Sequence, residues 1–149
     1  KKGALASIIG IGYATEPIAH GASMSSNGEC LKRSMESALD GIPPGTVDVV
    51  VMHAPGTLKG DRAEMEAVYQ VFGKEIPALT TNKWKLGHTL GTSGILSMEL
   101  AILMLKHQHF IEVPYLGKVP GPEKLERVLV NAVGFGGNAV SICLERGTI

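Results

Sequence analysis

Four features of the sequence have the residue types to carry out chemistry together: His53, Lys83, His88 and a glycine turn around Phe135. Neutral imidazoles and backbone N–H groups donate hydrogen bonds that stabilise negative charge on a substrate oxygen. A lysine supplies a fixed positive charge, and glycines let the backbone approach a substrate closely.

Each feature also has a purely structural interpretation. A single histidine after a strand is more often a hydrogen-bonded structural residue than a catalyst. His88 at a helix start could serve as a cap, where the helix dipole favours neutral imidazole. Lys83 and Lys85 could be solvated loop charges, and a glycine turn with one phenylalanine could be a tight hairpin only.

The predicted strands favour a shared site. The β-branched run Val47–Met52 predicts a fully buried strand that ends at His53. Pro77–Thr81 predicts a short strand just before Lys83, and Val128–Val133 predicts one that leads into the glycine turn. Because ligand sites in α/β sheets collect at strand ends, we expect the four features to converge on one crevice if these strands are neighbours.

The remaining segments complete an α/β pattern. Asp61, with Glu64 three residues on, is typical of a capping box at a helix start. The element order predicts one domain over residues 1–149, with a mixed sheet flanked by helices, parallel in its first part and ending in an antiparallel hairpin. Its other elements are a buried strand over Ala4–Ala14, helices over Gly28–Leu39, Asp61–Phe72 and Gly87–Lys106, a loop over Glu112–Glu126 and a last strand over Ala139–Leu144.

Composition narrows the function classes. The 149 residues are 44% hydrophobic, enough for a buried core, and the zero formal net charge without a basic stripe argues against nucleic-acid binding. The longest apolar stretch, Ile95–Leu105, contains Ser97 and Glu99, which argues against a membrane span. Two cysteines in apolar surroundings, Cys30 and Cys143, are expected to be structural and to fit a cytoplasmic location.

Other local signals are weak. His107 and His109 flank Gln108, a spacing that could suit a metal, but no carboxylate or cysteine trio accompanies them, so we expect no metal site. Ala4–Ile11 after two lysines superficially resembles a secretory signal, yet no small-residue cleavage site follows. Because the sequence has no initiator Met, we expect it to begin inside a larger polypeptide.

Together the motifs resemble the decarboxylating β-ketoacyl-acyl carrier protein synthases of the thiolase superfamily, over nearly the whole chain. Three spaced motifs in the right order carry the resemblance. They are His53 with Gly60-Asp61-Arg62-Ala63-Glu64, then Lys83 with Gly87-His88 and Gly91-Thr92-Ser93-Gly94, and finally Asn131 with Gly134-Phe135-Gly136-Gly137. Thiolases proper carry a cysteine in the glycine turn, where this chain has Phe135 and Asn138, so the resemblance favours decarboxylative condensation.

The resemblance implies a thiolase-like half: the carboxyl-terminal part of a Cys-His-His site, without the nucleophilic cysteine. It implies that His53 and His88 donate to the malonyl thioester oxygen and that Lys83 organises the site. Asp61 or Glu64 would pair with that lysine. The backbone N–H of Phe135 would complete an oxyanion hole, and its ring would gate the acyl pocket.

The resemblance also implies ligands and partners. Substrates would be carried on the phosphopantetheine of acyl carrier protein, with no further cofactor, and Ser23, Thr57, Gly134 and Gly136 would contact them. The partners would be acyl carrier protein, the missing amino-terminal half and, for the full-length protein, a second copy in a homodimer. The chain alone is expected to be inactive, since the nucleophile is absent.

Three departures concern how the carrier arm and the lysine are held. The family's His-Gly-Thr reads His53-Ala54-Pro55 here, although Thr57 is kept. The family's Thr-Ser pair after an earlier histidine reads Ala22-Ser23. The family's acidic residue nine positions past the second histidine is Ser97, so the usual partner of the lysine is expected to be absent.

Two alternatives to an enzyme remain open. One is a non-catalytic, chain-length-factor-like partner of a ketosynthase, which the three departures favour and the two retained histidines disfavour. The residue upstream of Lys1 at the nucleophile position would discriminate, since a cysteine indicates the enzyme and a Gln or Ser indicates the partner. The other is a thiolase-like domain with an unrelated binding function.

Overall fold

Strands and helices follow one another in nearly the predicted order. The computed structural model describes residues 3–17, 25–114 and 120–148. Its elements are β1 (Ala6–Thr15), α1 (Glu29–Ala38), β2 (Val49–Val51), α2 (Leu58–Phe72), β3 (Ala78–Thr80), α3 (Lys83–Leu86), α4 (Ser93–His107), β4 (Arg127–Gly134) and β5 (Asn138–Arg146). None of these helices is long and apolar enough to cross a membrane.

The strands form one mixed sheet in the order β1-β5-β4-β2-β3. β2 lies between β4 and β3 and is parallel to both, while β4 and β5 form the predicted antiparallel hairpin. The prediction of a mixed sheet with a final hairpin is confirmed. The strands that form its parallel part were assigned wrongly, because β1 pairs antiparallel with β5 at the edge of the sheet.

Helices cover both faces of the sheet. α1 and α2 pack on one face over Val50 and Leu129, and α4 packs on the other over Val49, Val51 and Val130. All three residues of β2 are fully buried as a result, as the apolar run predicted. His53 therefore follows directly after a fully buried strand inside the sheet.

The prediction of a buried strand over Ala4–Ala14 is wrong for one face of β1. On one face Gly10 and Gly12 pack directly against the backbone of α1, whereas on the other face Ile11 and Tyr13 are 61% and 62% exposed. A Cβ atom at Gly12 would lie 2.6 Å from the Ala38 nitrogen and closer still to the Ser34 carbonyl oxygen. The glycines thus serve a close contact between helix and strand.

α2 begins one turn earlier than predicted. Its N-cap is Thr57, whose hydroxyl oxygen accepts the backbone N–H of Gly60 (3.2 Å). The predicted capping box at Asp61 is wrong, because Asp61 accepts the N–H of Gly56 (3.1 Å) and Glu64 points into the core. The predicted end is confirmed, since Gly73 follows the last helical residue.

The long helix predicted over Gly87–Lys106 is wrong at its start. α4 begins at Ser93, and the single turn α3 precedes it. Between them, Gly87 (φ 72°) and Leu90 (φ 52°) adopt left-handed backbone conformations that interrupt a right-handed helix. His88 therefore lies in a connection between helices.

Candidate active site

A cavity of about 780 Å³ opens at the carboxyl ends of β2 and β4. Five of the predicted site residues line it: His53, Thr57, His88, Gly134 and Phe135. The convergence expected from neighbouring strands is therefore found for the two histidines and the glycine turn. Lys83 and Asp61 line a second cavity of about 950 Å³, and His88 borders both.

The two histidines face each other edge to face. Their ring centroids are 5.1 Å apart, and the planes make an angle of 79°. The backbone N–H of Val133 donates to Nδ1 of His53 (3.3 Å), and that of Leu90 donates to Nδ1 of His88 (3.1 Å). A ring nitrogen that accepts a hydrogen bond carries no proton, so each neutral imidazole has its hydrogen on Nε2.

His53 is held in the neutral form. Burial above all, with smaller effects from the positive charge of Lys83 and from His88, lowers its pKa to about 3. At neutral pH the buried ring therefore offers an uncharged Nε2–H donor, which suits the stabilisation of a developing negative charge.

This shift predicts an acid-sensitive fold. Between pH 6.5, the ordinary pKa of the ring, and about 3, the unfolded chain binds a proton that the folded chain does not. The contribution of His53 to stability is thus complete above pH 6.5 and decreases as the pH falls towards 3. Between pH 8 and pH 5 this residue should lower the free energy of unfolding by about 2 kcal/mol.

Urea unfolding of the chain and of a His53→Gln variant at the two pH values measures this contribution. Glutamine keeps a donor of similar reach but does not titrate. From pH 8 to pH 5, the free energy of unfolding should fall by about 2 kcal/mol more in the parent chain than in the variant. Equal losses in the two proteins would show that the imidazole of His53 titrates normally in the folded state.

Lys83 is buried without the ion pair predicted for it. Its side chain is 9% exposed, and its Nζ atom has no hydrogen-bond partner among the described residues. Burial lowers its pKa, while Glu64 and Asp61 act in the opposite direction. Neither carboxylate forms a salt bridge with it in the described chain, so the charges of Asp61 and Glu64 act on Lys83 without direct contact.

Glu64 instead holds the backbone of the histidine loop. Its carboxylate accepts the N–H groups of His53 (2.9 Å) and Ala54 (2.7 Å) and the side-chain N–H of Asn131 (3.1 Å). Burial raises the pKa of Glu64, and these hydrogen bonds together with the charge of Lys83 oppose that rise. Its task is therefore to fix His53, which its spacing from Asp61 does not reveal.

Ala54 is in a left-handed conformation (φ 32°) directly before Pro55. An alanine is strained there, and a following proline disfavours the conformation further. Glycine stands at this position in the family pattern and would adopt the same backbone without a Cβ clash.

Ala54→Gly should therefore raise the free energy of unfolding by about 0.5–1 kcal/mol, since relief of strain exceeds the added entropy of the unfolded chain. Urea unfolding of the variant measures the change. Ala78→Gly, in the extended backbone of β3, is the matched control and should lose stability. If Ala54→Gly and Ala78→Gly lower the free energy of unfolding equally, the backbone of Ala54 is not strained.

The glycine turn exposes Phe135 at the mouth of the cavity. The ring is 77% exposed, and the side chain of Asn138 donates to the Phe135 carbonyl (2.8 Å). Gly136 (φ 88°) and Gly137 (φ 70°) supply the left-handed conformations that close the turn. Of the two glycines expected to contact substrate, Gly134 lines the cavity, and Gly136 shapes the turn beside it.

The residues expected to hold a carrier arm are only partly described. Thr57 lines the cavity, and because its oxygen accepts the Gly60 N–H, its own hydrogen remains available to a ligand. Ser23, with Ala22, lies outside the described residues. Ser97 is fully buried and its hydroxyl has no partner among the described residues, whereas Glu99 is exposed.

Neither cysteine has the environment of a nucleophile. Burial raises the pKa of Cys30 to about 12 and that of Cys143 to about 11, so both are protonated at neutral pH. Both are free and buried in the core, as expected of structural residues. Across the described ranges, no group of three or more His, Cys, Asp or Glu side chains is arranged to hold a metal ion.

Two residues that position the site had no role assigned from the sequence: Asn131 was named only within a motif, and Val133 only as the end of a strand. Asn131 bonds to Glu64, and the backbone N–H of Val133 fixes the tautomer of His53. An asparagine within the apolar run of β4 was the available signal for the first. Nothing in the sequence indicated the second, because a backbone donor carries no residue type.

Comparison with known proteins agrees with this geometry. The family model described as "Beta-ketoacyl synthase, C-terminal domain" matches residues 5–114, a range that includes His53, Lys83 and His88. The chain is 31% identical over 131 residues to 3-oxoacyl-[acyl-carrier-protein] synthase 2 of Mycobacterium tuberculosis, covering 80% of this chain and 31% of that protein. It is 29% identical over 154 residues to synthase 1 of Escherichia coli, covering 95% and 37% respectively.

Solved structures share the fold. A β-ketoacyl synthase from Burkholderia phymatum superimposes with a TM-score of 0.81 at 27% identity, over 97% of this chain and 38% of that one. A ketosynthase in complex with its chain length factor, from Xenorhabdus doucetiae, gives a TM-score of 0.84 at 23% identity, over 98% and 40%. The chain spans about a third of the length of the curated relatives it matches. It belongs to the β-ketoacyl synthase family, as a representative of the family's C-terminal domain.

Proposed function

We propose that this chain supplies the carboxyl-terminal half of the active site of a 3-oxoacyl-[acyl-carrier-protein] synthase. The observation that carries the proposal is the pair of neutral imidazoles, His53 and His88, each with Nε2–H as its free donor beside one cavity. The names of the relatives in Mycobacterium tuberculosis and Escherichia coli support this activity.

The two imidazoles would act when malonyl-carrier protein loses its carboxylate. The carbon–carbon bond breaks, carbon dioxide leaves, and the electron pair moves onto the thioester as an enolate. The Nε2–H groups of His53 and His88 would donate to the enolate oxygen, each contributing about 3–4 kcal/mol by analogy with other oxyanion sites. Lys83, close enough to lower the pKa of His53, would add a fixed positive charge.

The enolate carbon would then attack the acyl thioester on a nucleophilic cysteine. A new carbon–carbon bond forms, the tetrahedral oxyanion collapses, and the cysteine leaves as thiolate. The backbone N–H of Phe135 would hold that oxyanion, and the exposed ring would gate the acyl pocket. The cysteine would come from another part of the protein, because Cys30 and Cys143 are buried in the core.

The substrate would reach this site on the phosphopantetheine arm of acyl carrier protein, with no further cofactor. Thr57 is the described hydroxyl that could contact the arm, and Ser23 is the second candidate. Pro55 lines the same cavity but cannot donate, so the arm would be held with fewer hydrogen bonds than the family pattern provides.

The exposed apolar face of the chain suits further protein partners. Ile11 and Tyr13 on β1 and Ile95 on α4 are 61%, 62% and 64% exposed. The amino-terminal half of the synthase would cover this face, and the whole protein would form a homodimer in the cytoplasm, where two free thiols persist. One domain would then comprise residues 1–149.

A second candidate is a non-catalytic, chain-length-factor-like subunit. Pro55 favours it, as does Lys83, whose Nζ atom has no hydrogen-bond partner in the described part of the chain, because both weaken features that the reaction uses. The two candidates differ in decarboxylation, which only the enzyme performs.

The test is release of carbon dioxide from malonyl-acyl carrier protein by the whole protein that carries this chain, with and without an acyl donor. The enzyme should release it and form the 3-oxoacyl product, and the 149-residue chain alone should not condense. Absence of release by the whole protein would reject the synthase in favour of the partner subunit. Robust condensation by the chain alone would overturn the assignment of half a site.

A further inference from the structure

A line of buried polar groups crosses the core from α1 to the histidine loop. Ser34 on α1 contacts Ser141 on β5 (2.8 Å), and Ser141 donates to the side-chain oxygen of Asn131 on β4 (2.8 Å). Asn131 in turn donates to Glu64 (3.1 Å). All four side chains are at most 1% exposed.

The hydrogen positions give this line one direction. The side-chain oxygen of Asn131 can only accept a hydrogen bond, so the single hydroxyl hydrogen of Ser141 must be donated to it. Ser141 therefore accepts from Ser34, whose own hydrogen is shared with the Leu31 carbonyl (2.9 Å). Each donor thus points towards the Glu64 carboxylate, and donors in such a series strengthen one another.

The line ends on the backbone that carries His53. Glu64 accepts the N–H groups of His53 and Ala54, and Ala54 is the strained residue of the loop. The ring of His53 accepts from Val133, two residues beyond Asn131 on the same strand. β4 therefore holds the loop through a side chain and the ring through its backbone.

We propose that Asn131, aligned by Ser141, is a positioning residue: it orients the Glu64 carboxylate so that the loop keeps the Nδ1 atom of His53 on the Val133 N–H. Without the amide donor, only the two N–H groups of the loop itself hold the Glu64 carboxylate among the described residues, so the carboxylate and the strained loop can shift together. The ring would then lose the acceptor bond that places its hydrogen on Nε2. The catalytic consequence rests on the proposed function, whereas the effect on the ring does not.

Two isosteric variants test the proposal. Asn131→Leu keeps the volume and removes both polar groups, so His53 should lose its single tautomer. The pKa of the His53 imidazole should rise by at least about one unit towards its ordinary value. Nitrogen NMR of the imidazole in the 149-residue chain measures this change. Asn27→Leu, on an exposed asparagine, is the control and should leave His53 unchanged.

Asn131→Asp tests the pH dependence of decarboxylation, which should not change if Asn131 has only a structural role. It sets a second carboxyl against Glu64, and two such groups share one proton. Decarboxylation by the whole protein should be about tenfold or more below the parent at pH 8 and should recover towards pH 6, where the shared proton restores a donor. Asn131→Leu should be impaired at both pH values.

An unchanged His53 titration in Asn131→Leu, or equal pH profiles for the parent and Asn131→Asp, would overturn the proposal. If Asn131→Leu does not fold, Ser141→Ala tests the proposal in the same NMR measurement. This variant removes the hydroxyl that orients Asn131 but keeps the amide of Asn131 itself. Failure of the proposed function would appear separately, as no decarboxylation by the parent protein.

Discussion

Replacing either His53 or His88 with alanine is expected to reduce malonyl decarboxylation by about 100- to 1000-fold in the whole protein. Each variant removes one of the two Nε2–H donors that face the cavity. The loss should appear in kcat, because the oxygen that accepts the hydrogen bond gains its negative charge only as the carboxylate leaves and does not carry it in the bound substrate. The measurement is the rate of carbon dioxide release from malonyl-acyl carrier protein.

Two control variants, a glutamine at the site and an alanine at a remote histidine, show whether the loss comes from the missing N–H donor. Glutamine at either position carries an amide N–H at a reach close to that of Nε2, so His88→Gln should recover part of the rate. His107→Ala, on the exposed last turn of α4, should release carbon dioxide at the parent rate. If both alanine variants decarboxylate like the parent, the imidazoles do not stabilise the enolate.

Gly12→Ala is expected to cause the largest loss of stability, about 3 kcal/mol or more in the free energy of unfolding. The added methyl group would overlap the carbonyl oxygen of Ser34 and lie 2.6 Å from the Ala38 nitrogen. Both are backbone atoms inside α1, so neither can rotate away. The helix would have to move as a body from the sheet, which disrupts the core beneath it.

Urea unfolding of the 149-residue chain measures this loss. Gly91→Ala is the matched control, since a Cβ atom at Gly91 meets nothing within 4 Å. It should change the free energy of unfolding by less than about 1 kcal/mol. A comparable, small change in Gly12→Ala would show that α1 does not rest on the backbone of β1.

Much of the architecture was predictable because it follows local rules. The run before His53 is β-branched and became a buried parallel strand, and the glycines around Phe135 became the turn of a hairpin. Once these strands proved to be neighbours, their ends had to meet. The shared location of His53, His88 and Phe135 therefore follows from strand order and the direction of the chain.

The features that were not predictable depend on contacts distant in sequence. Glu64 fits a local capping motif with Asp61, yet its carboxylate bonds to Asn131, which lies 67 residues away. Leu90 has good helix propensity, but it adopts a left-handed conformation and bonds to His88 in the finished fold. β1 pairs with β5 because the hairpin presents a free edge, and no local pattern indicates that choice.

The tautomers of the two histidines also affect whether the site can bind a transition-metal ion such as zinc. Zinc in proteins is bound by imidazole nitrogens among other ligands, and the two imidazoles here have centroids 5.1 Å apart. To bind zinc through Nε2, each ring would have to move its hydrogen to Nδ1, where the N–H of Val133 or Leu90 already points. Two hydrogens would then face each other at each ring, so the backbone bonds that prepare these donors also protect the pair against capture by stray transition metals.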